Sequence, residues 1–271
     1  MTAAIIIARG GSKRLPRKNV KEFCGLPLVA WAIIQAKTSI LIDDVFVSTD
    51  DNEIMNIARE YGAHVIVRPD WPDADQAAGN RPFLHAIKEI YKMYGDDFNE
   101  VLTILPTTPL NLPGDFDSAI KIYRNHGCDR VSPLIPRREA VLYKKMSPTK
   151  ARFDIFKKNY YYLGEGGGWV VTSPKWYMTY ASEMSDLDAD LNNMDNWTCR
   201  ETSYWEQQYW QYADVDTLEE FEFAEVVMEH FILKGRGAEV YFDYLKTNKK
   251  FIGSVSIPES FGNSAQTFGG D

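Results

Sequence analysis

The sequence has few of the residues that build disulfide frameworks or metal clusters. Its 271 residues include 3 cysteines and 4 histidines, and neither type recurs at a metal-binding spacing. The cysteines (Cys24, Cys128 and Cys199) are odd in number and scattered, which predicts reduced thiols in a cytoplasmic compartment. No stretch approaches the ~18 consecutive apolar residues of a membrane span, and no secretory signal pattern opens the chain. We therefore expect no membrane partner.

Several common catalytic and nucleotide-binding motifs are also missing. The chain contains no C-x-x-C, no G-x-S-x-G elbow, no Walker A loop and no G-x-G-x-x-G fingerprint. A net charge of -8 and a pI of about 5.2 argue against a nucleic-acid-binding surface. With 45% hydrophobic residues, the chain can bury a sizeable core.

The first half of the chain alternates strand-like and helix-like segments. Leu28–Lys37, Asn52–Tyr61, Pro82–Tyr94 and Pro113–His126 predict helices between short apolar strands. This alternation predicts an α/β fold, a mostly parallel sheet with helices on both faces, in which ligands bind at the carboxyl ends of the strands. We predict a single domain over residues 1–253, with a β-rich insertion at about 135–200 and a flexible tail at 254–271.

The first strand and the loop that leaves it form the most informative stretch. The apolar run Ala3–Ala8 predicts a strand buried on both faces, and the loop to Asn19 begins with two adjacent glycines after one arginine. Five cations and no acid lie between Arg9 and Lys18, against the negative charge of the whole chain. Such a loop suits a polyphosphate. A solvated basic turn is the alternative, and charge alone does not separate the two.

A second informative stretch, of opposite charge, runs from Tyr212 to Thr217. Strand-like alternation predicts Asp214 and Asp216 on one side, where Mg²⁺ would relieve their repulsion and bridge to phosphate. The alternative is that these acids only favour the start of the next helix, Glu219–Leu233, which Thr217 and Glu220 would cap. The residues expected to be buried by that helix are Leu218, Phe221, Ala224, Met228 and Phe231.

Other candidates for chemistry are weaker. The four histidines have no evident nucleophile or metal partner, and structural roles are expected for them. An aromatic stretch could stack a base, but core packing or a dimer interface is the favoured interpretation. It comprises Trp197, Tyr204, Trp205, Tyr209, Trp210 and Tyr212.

Together these stretches resemble the CMP-sialic acid synthetase (acylneuraminate cytidylyltransferase) family, which includes the legionaminic and pseudaminic acid cytidylyltransferases. The string IIIARGGSKRLPRKN looks like the hallmark of that family. Further matches follow in the family's order: Val47-Ser48-Thr49-Asp50, Arg68-Pro69, Asp75-Gln76-Ala77, Leu105-Pro106-Thr107-Thr108-Pro109-Leu110 and Asp214-Val215-Asp216-Thr217.

The resemblance implies a Rossmann-like nucleotidyltransferase fold, CTP and a sugar acid as substrates, Mg²⁺ as cofactor and a homodimer, with the insertion as its possible contact. It also implies roles for individual residues. The nucleotide site would comprise Ala8, Arg9, Gly10, Gly11, Ser12, Lys13, Lys18, Asn19, Arg68, Asp75, Ala77 and Gly79. Pro106, Thr107 and Thr108 would face the sugar, and Asp214 and Asp216 would bind the metal. The catalytic set would be Arg9, Lys13, Lys18, Asp214 and Asp216.

The chain departs from the family at two positions beside the Pro-Thr-Thr-Pro run. The family commonly has Gln and Arg where this chain has Leu105 and Asn111. An amide and a guanidinium that could bind a sugar acid are therefore missing.

The expected activity is transfer of a cytidylyl group from CTP to a 2-keto nonulosonic acid, with release of pyrophosphate. One alternative is a nucleotide-sugar-dependent glycosyltransferase of similar architecture, which also uses D-x-D. Another is a catalytically degenerate relative that binds nucleotide without turnover.

Overall fold

The computed structural model describes residues 1–69, 71, 80–137, 142–147, 150–154, 162–165, 168–179, 202–235 and 238–248. Its strands are β1 (Thr2–Ile7), β2 (Glu22–Phe23), β3 (Leu26–Pro27), β4 (Asp44–Thr49), β5 (His64–Val67), β6 (Glu100–Ile104), β7 (Arg130–Arg137), β8 (Leu142–Ser147), β9 (Lys150–Asp154), β10 (Tyr162–Glu165), β11 (Trp169–Thr172) and β12 (Thr202–Glu206). Its helices are α1 (Leu28–Lys37), α2 (Asn52–Glu60), α3 (Asn80–Tyr94), α4 (Asp115–His126), α5 (174–179), α6 (Leu218–Val227) and α7 (Ala238–Thr247).

The centre of the molecule is a sheet in which β5, β4, β1 and β6 run parallel in that order. Beyond β6, β11 is antiparallel, and β7, β10 and β12 complete an eight-stranded sheet. The predicted α/β sheet is confirmed. The insertion at about 135–200 stays a prediction; in its described part, β10 and β11 join the main sheet, whereas β8 and β9 pair apart from it.

Helices cover both faces of this sheet. Along β1, Ala4 and Ile6 pack into one core cluster with α1, α4 and α6, while Ala3 and Ile5 pack into a second cluster with α3. All four side chains are fully buried, which explains why β1 is apolar from Ala3 to Ile7 and does not alternate with polar residues there. Among the described residues, no helix is long and apolar enough to cross a membrane.

The sequence predicted the capped start of α6 and the extent of the helical segment that it opens. Thr217 and Glu220 form the expected capping box, and Phe221, Ala224 and Met228 are buried. The helical segment reaches Leu233 as predicted, but its last part is a π-helical turn (Met228–Leu233) that directly follows α6. The predicted burial of two more residues is wrong: Leu218 is 50% exposed and Phe231 is 41% exposed. The core-facing position in the π-helical turn is taken by Ile232.

Asn111 links several elements behind the Pro-Thr-Thr-Pro run. Its Nδ2 donates to Gln35 Oε1 of α1 at 3.0 Å and to Thr108 O at 3.0 Å. Its Oδ1 accepts from Trp169 Nε1 of β11 at 3.0 Å, and its carbonyl accepts from Tyr241 of α7 at 2.9 Å. The side chain is 2% exposed. Asn111 is therefore a structural residue, because its amide is used by protein partners. It does not replace the ligand-binding guanidinium that the family's arginine could provide at this position.

We expect Asn111→Ala to lower the free energy of unfolding by about 2–4 kcal/mol, because it leaves the Oε1 acceptor of Gln35 and the indole N–H of Trp169 without their buried partner. Urea denaturation would measure this change. Asn56→Ala, at an exposed position of α2, is the matched control and should change stability by less than about 0.5 kcal/mol. Equal stability of the two variants would contradict the structural role of Asn111.

Candidate active site

The carboxyl ends of the four parallel strands meet at one edge of the sheet, as the fold class predicts. The basic loop leaves β1 there, Asp50 follows β4, Arg68 follows β5 and Leu105 follows β6. Backbone hydrogen bonds connect the residues at these strand ends: Ala8 N–H donates to Ser48 O at 3.1 Å, and Arg68 N–H donates to Thr49 O at 2.9 Å.

The acidic segment reaches the same edge through the loop after β6. Val215 N–H donates to Thr107 O at 2.8 Å, which places Asp214 and Asp216 beside the Pro-Thr-Thr-Pro run. The prediction of a strand here is wrong, because the segment makes no ladder pairing and lies as extended chain. The predicted alternation of side-chain direction is nevertheless present: Val215 is fully buried, whereas Asp214 is exposed and Asp216 is half-buried.

A direct ion pair joins the two charged stretches. Lys18 Nζ lies 2.8 Å from Asp216 Oδ1 and also donates to the carbonyl of Val215. Arg14, from the outer part of the loop, lies 2.6 Å from Asp216 Oδ2. Lys18 is only 7% exposed, so its charge is largely removed from water and this pairing offsets the cost.

A cavity of about 610 Å³ opens between the basic loop and the acidic segment. Its walls include most of the residues predicted to bind nucleotide or metal, together with two of the residues predicted to face the sugar. They are Arg9, Ser12, Lys13, Lys18, Asn19, Arg68, Pro106, Thr107, Asp214 and Asp216. Sequence reasoning did not select Arg14, which also lines this cavity; its place among the loop cations was the only available signal.

The remaining predicted residues are arranged differently. Ala8 is buried under the loop, Gly10 N–H donates to Asp50 Oδ1 at 3.1 Å, and Gly11 is exposed; none of the three is among the described residues that line the cavity. Asp75, Ala77 and Gly79 lie outside the described residues, as do Trp197, Cys199 and the predicted tail.

The five cations of the loop do not all line the cavity. Arg17 turns away from the cavity and pairs with Asp51 at 2.5 Å and with Glu53, near the start of α2. This pairing lowers the pKa of Asp51, whose carboxylate also caps α2 by accepting from the N–H groups of Glu53 and Ile54. Arg17 therefore anchors the loop to the scaffold.

Asn19 presents a buried acceptor at the cavity wall. Its Nδ2 donates to Arg9 O at 2.9 Å, which fixes the orientation of the amide, because the reverse orientation would place two oxygens together. Its Oδ1 has no hydrogen-bond partner among the described residues, and the side chain is 6% exposed. Asn19 therefore offers an unpartnered oxygen that can accept a hydrogen bond from a ligand, and the second N–H of its amide is a further donor beside it.

A second cavity, of about 500 Å³, adjoins the first and shares Leu105 and Asp214 with it. Thr108 lines this second cavity; its Oγ1 donates to Leu105 O at 3.0 Å and accepts from Gly168 N–H at 2.9 Å. The other residues in its walls are aromatic, apolar and polar: Phe83, Thr103, Arg130, Ser132, Pro133, Leu134, Gly168, Trp169, Val170, Trp176, Tyr177 and Tyr212.

Among the described residues, no group of three or more His, Cys, Asp or Glu side chains is arranged to hold a metal ion. Asp214 and Asp216 nevertheless fit Mg²⁺, which takes one or two carboxylates together with phosphate oxygens and waters. Both carboxylates lie in the wall of the cation-lined cavity, where phosphate oxygens could complete the coordination.

The sequence of this chain matches a known protein family. The family model described as cytidylyltransferase matches residues 3–165. The chain belongs to this cytidylyltransferase family. The match includes the basic loop, Arg68 and the Pro-Thr-Thr-Pro run, and the family resemblance of the sequence is confirmed.

Curated relatives match about half of the chain or less. An N-acylneuraminate cytidylyltransferase A of Danio rerio is 33% identical over 135 residues, which are 50% of this chain and 30% of the relative. A pseudaminic acid cytidylyltransferase of Campylobacter jejuni is 38% identical over 39% of this chain and 46% of the relative. A CMP-N,N'-diacetyllegionaminic acid synthase of Legionella pneumophila is 36% identical over 48% of this chain and 56% of the relative. The chain thus spans less than two thirds of these relatives.

Solved structures support the fold. A CMP:2-keto-3-deoxy-manno-octonic acid synthetase complexed with CTP has a TM-score of 0.62 at 17% identity, covering 84% of this chain and 98% of its own. A 4-diphosphocytidyl-2C-methyl-D-erythritol synthase from Anaerococcus prevotii has a TM-score of 0.60 at 15% identity, with the same coverage. At these identities the likeness establishes the fold alone, and it confirms the predicted Rossmann-like nucleotidyltransferase architecture.

The two adjacent glycines of the loop provide a matched test of its packing. A Cβ on Gly10 would lie 2.4 Å from Asp51 Oδ2 and 2.9 Å from its Cβ, whereas a Cβ on Gly11 would meet nothing within 4 Å. Asp51 cannot easily move, because it caps α2 and holds Arg17. We expect Gly10→Ala to lower the free energy of unfolding by about 1–3 kcal/mol and Gly11→Ala to leave it nearly unchanged, as measured by urea denaturation. Equal stability of the two variants would contradict this packing.

Proposed function

We propose that this chain transfers a cytidylyl group from CTP to a nine-carbon 2-keto sugar acid, giving the CMP-sugar and pyrophosphate. The observation that supports this most directly is the meeting of Lys18 and Asp216 in the wall of one cavity. A cation-rich loop and a pair of carboxylates at one place suit a nucleoside triphosphate with its metal. The names of the curated relatives support the choice of CTP and of a sialic-type acid.

In this proposal the triphosphate lies in the cation-lined cavity, and Arg9, Lys13 and Lys18 stabilise charge on the β- and γ-phosphates. Mg²⁺ held by Asp214 and Asp216 would supply a Lewis acid at the α-phosphate. Asp216 contacts Lys18 and Arg14 when no ligand is bound, and holding the metal would free these cations for phosphate oxygens.

The sugar acid lies in the adjoining cavity, whose boundary with the first is formed by Leu105 and Asp214. The anomeric hydroxyl oxygen attacks the α-phosphorus in line, the bond from that phosphorus to the β-phosphate oxygen breaks, and pyrophosphate leaves. The hydroxyl proton passes to a base in the site. Asp214 lies at the boundary where both substrates meet, which suits it to orient the attacking hydroxyl.

Two further properties follow from the family resemblance and are part of the proposal. One is a homodimer, which sedimentation analysis would test. The other is a cytoplasmic location, consistent with the free thiols of Cys24 and Cys128.

The decisive experiment is a pyrophosphate-release assay in Mg²⁺, with CTP, UTP, ATP and GTP each paired with sialic, legionaminic, pseudaminic and 3-deoxy-octulosonic acids. We expect release with CTP and a nine-carbon acid. Lys13→Ala and Asp216→Ala should lower the rate by at least ~100-fold, because each removes a charge that acts on the triphosphate or its metal.

The controls for these variants remove like charges at exposed positions away from the cavity. Lys88→Ala on α3 and Asp243→Ala on α7 should retain wild-type rates. Turnover near the wild-type rate in Lys13→Ala or Asp216→Ala would contradict the assigned roles. CTP binding by calorimetry without product for any acid would favour a nucleotide-binding relative that lacks turnover, and release only from a nucleotide sugar would favour a glycosyltransferase.

Asn19 generates a separate prediction about the nucleoside. Because Oδ1 of Asn19 can only accept, its ligand partner must be a donor, and CTP offers the ribose hydroxyls and the base amine. We expect Asn19→Ala to weaken CTP binding by roughly 10-fold. Calorimetry with 2'-deoxy-CTP, 3'-deoxy-CTP and UTP identifies the donor, since the effect of the variant disappears for the analogue that lacks it. A uniform loss with all analogues would contradict the acceptor role, and Asn56→Ala is the control.

A further inference from the structure

Asp50, the residue directly after β4, has no role in the function proposed above. Its Oδ1 accepts from Gly10 N–H at 3.1 Å and lies 3.3 Å from a guanidinium nitrogen of Arg68. One carboxylate oxygen thus links the loop after β1 to the residue after β5. Asp50 is not among the described residues that line the cavity.

Both residues that contact Asp50 are connected to the cavity wall. The Arg68 side chain is 7% exposed and lines the cavity wall, and its backbone N–H is held by Thr49 O at 2.9 Å. The guanidinium carbon of Arg68 also lies 5.8 Å from the ring centroid of Trp71, which is within cation–π distance. A long side chain with several rotamers is thereby fixed at its charged end by a carboxylate and an aromatic ring.

The position of Gly10 is also fixed by the acidic residues that follow β4. Its N–H bonds to Asp50, and its α-carbon packs so closely on Asp51 that no side chain fits there. Ser12 and Lys13 follow within three residues and line the cavity. The position of these phosphate-facing groups therefore depends on the turn that Asp50 and Asp51 fix.

We propose that Asp50 is a positioning residue for nucleotide recognition, which sets the Gly10 turn and the Arg68 guanidinium without contacting the ligand. This inference rests on the proposed function, because it presumes that the cavity binds CTP. A carboxylate in direct contact with a triphosphate would repel it, whereas both contacts of Asp50 are to protein groups, the N–H of Gly10 and the guanidinium of Arg68.

The test compares Asp50→Ala with Asp50→Asn. The alanine removes the acceptor, and the asparagine keeps a carbonyl oxygen for Gly10 N–H and Arg68. We expect Asp50→Ala to raise the KM for CTP and its calorimetric Kd by roughly 10-fold, with kcat changed less than about 3-fold, because phosphate binding is weakened in ground and transition states alike. Asp50→Asn should remain within about 3-fold of wild type.

Asp44→Ala is the matched control. Asp44 begins the same strand at its other end, where its carboxylate lies 3.2 Å from His64 Nε2. Its loss removes the same charge from β4 and should leave the KM for CTP unchanged. Should Asp50→Ala fail to fold, Asp50→Ser has the same expected result, because its short side chain reaches neither partner.

Two results would overturn the proposal. One is an unchanged Kd for CTP in Asp50→Ala at an unchanged Tm. The other is an equal loss in Asp50→Ala and Asp50→Asn, which would assign the effect to charge and not to the acceptor. Failure of the proposed function is distinguished with the wild-type protein, which would then bind no CTP or would bind it without releasing pyrophosphate for any acid. In the second case the Kd values for CTP still test the role of Asp50.

Discussion

The ion pair of Lys18 with Asp216 is the contact on which the candidate site depends. Its partners are 198 residues apart in the chain, and they meet because each is held by the backbone of the sheet edge. Lys18 lies in a short helical turn that is tied to the loop after β1, and Asp216 follows Val215, whose N–H is bonded to Thr107. A buried lysine needs such a partner, since removing its charge from water is costly.

Strand order explains why these distant segments converge. Parallel strands present their carboxyl ends at one edge, and β1 lies between β4 and β6, so the loops after all three are neighbours. The acidic segment belongs to no strand of that sheet. It reaches the edge by lying along the loop after β6, and the buried side chain of Val215 holds it there while Asp214 and Asp216 remain at the cavity.

Much of this could be predicted from the sequence, because the signals were local. The apolar run of β1, the limits of α1 and the capping box of α6 each depend on neighbouring residues and were correct. What failed depended on tertiary contacts. Arg17 and Arg14 look alike in the loop, yet Arg17 pairs with Asp51 behind it and Arg14 pairs with Asp216 in the cavity.

One other failure has the same origin. Phe231 was expected in the core because it continues a helical spacing, but the π-helical turn places Ile232 there. Asn111, which stands where the family commonly has an arginine, shows a related limit, because its buried amide is fully used by neighbouring elements. Composition and spacing do not reveal which partner a polar side chain finds.

Several of the cations around the cavity are already paired with carboxylates before any ligand binds. Arg68 is paired with Asp50, and Lys18 and Arg14 are paired with Asp216. These acids reduce the net positive charge that a triphosphate meets, which lowers affinity, but they also hold the cations in place, which lowers the entropy lost on binding. The two kinds of acid differ in one respect: Asp50 is not among the described residues that line the cavity, whereas Asp216 lies in its wall. In the proposed function, Asp216 would exchange its contacts with Lys18 and Arg14 for a metal ion, so that the carboxylate would keep a partner when these cations turn to phosphate.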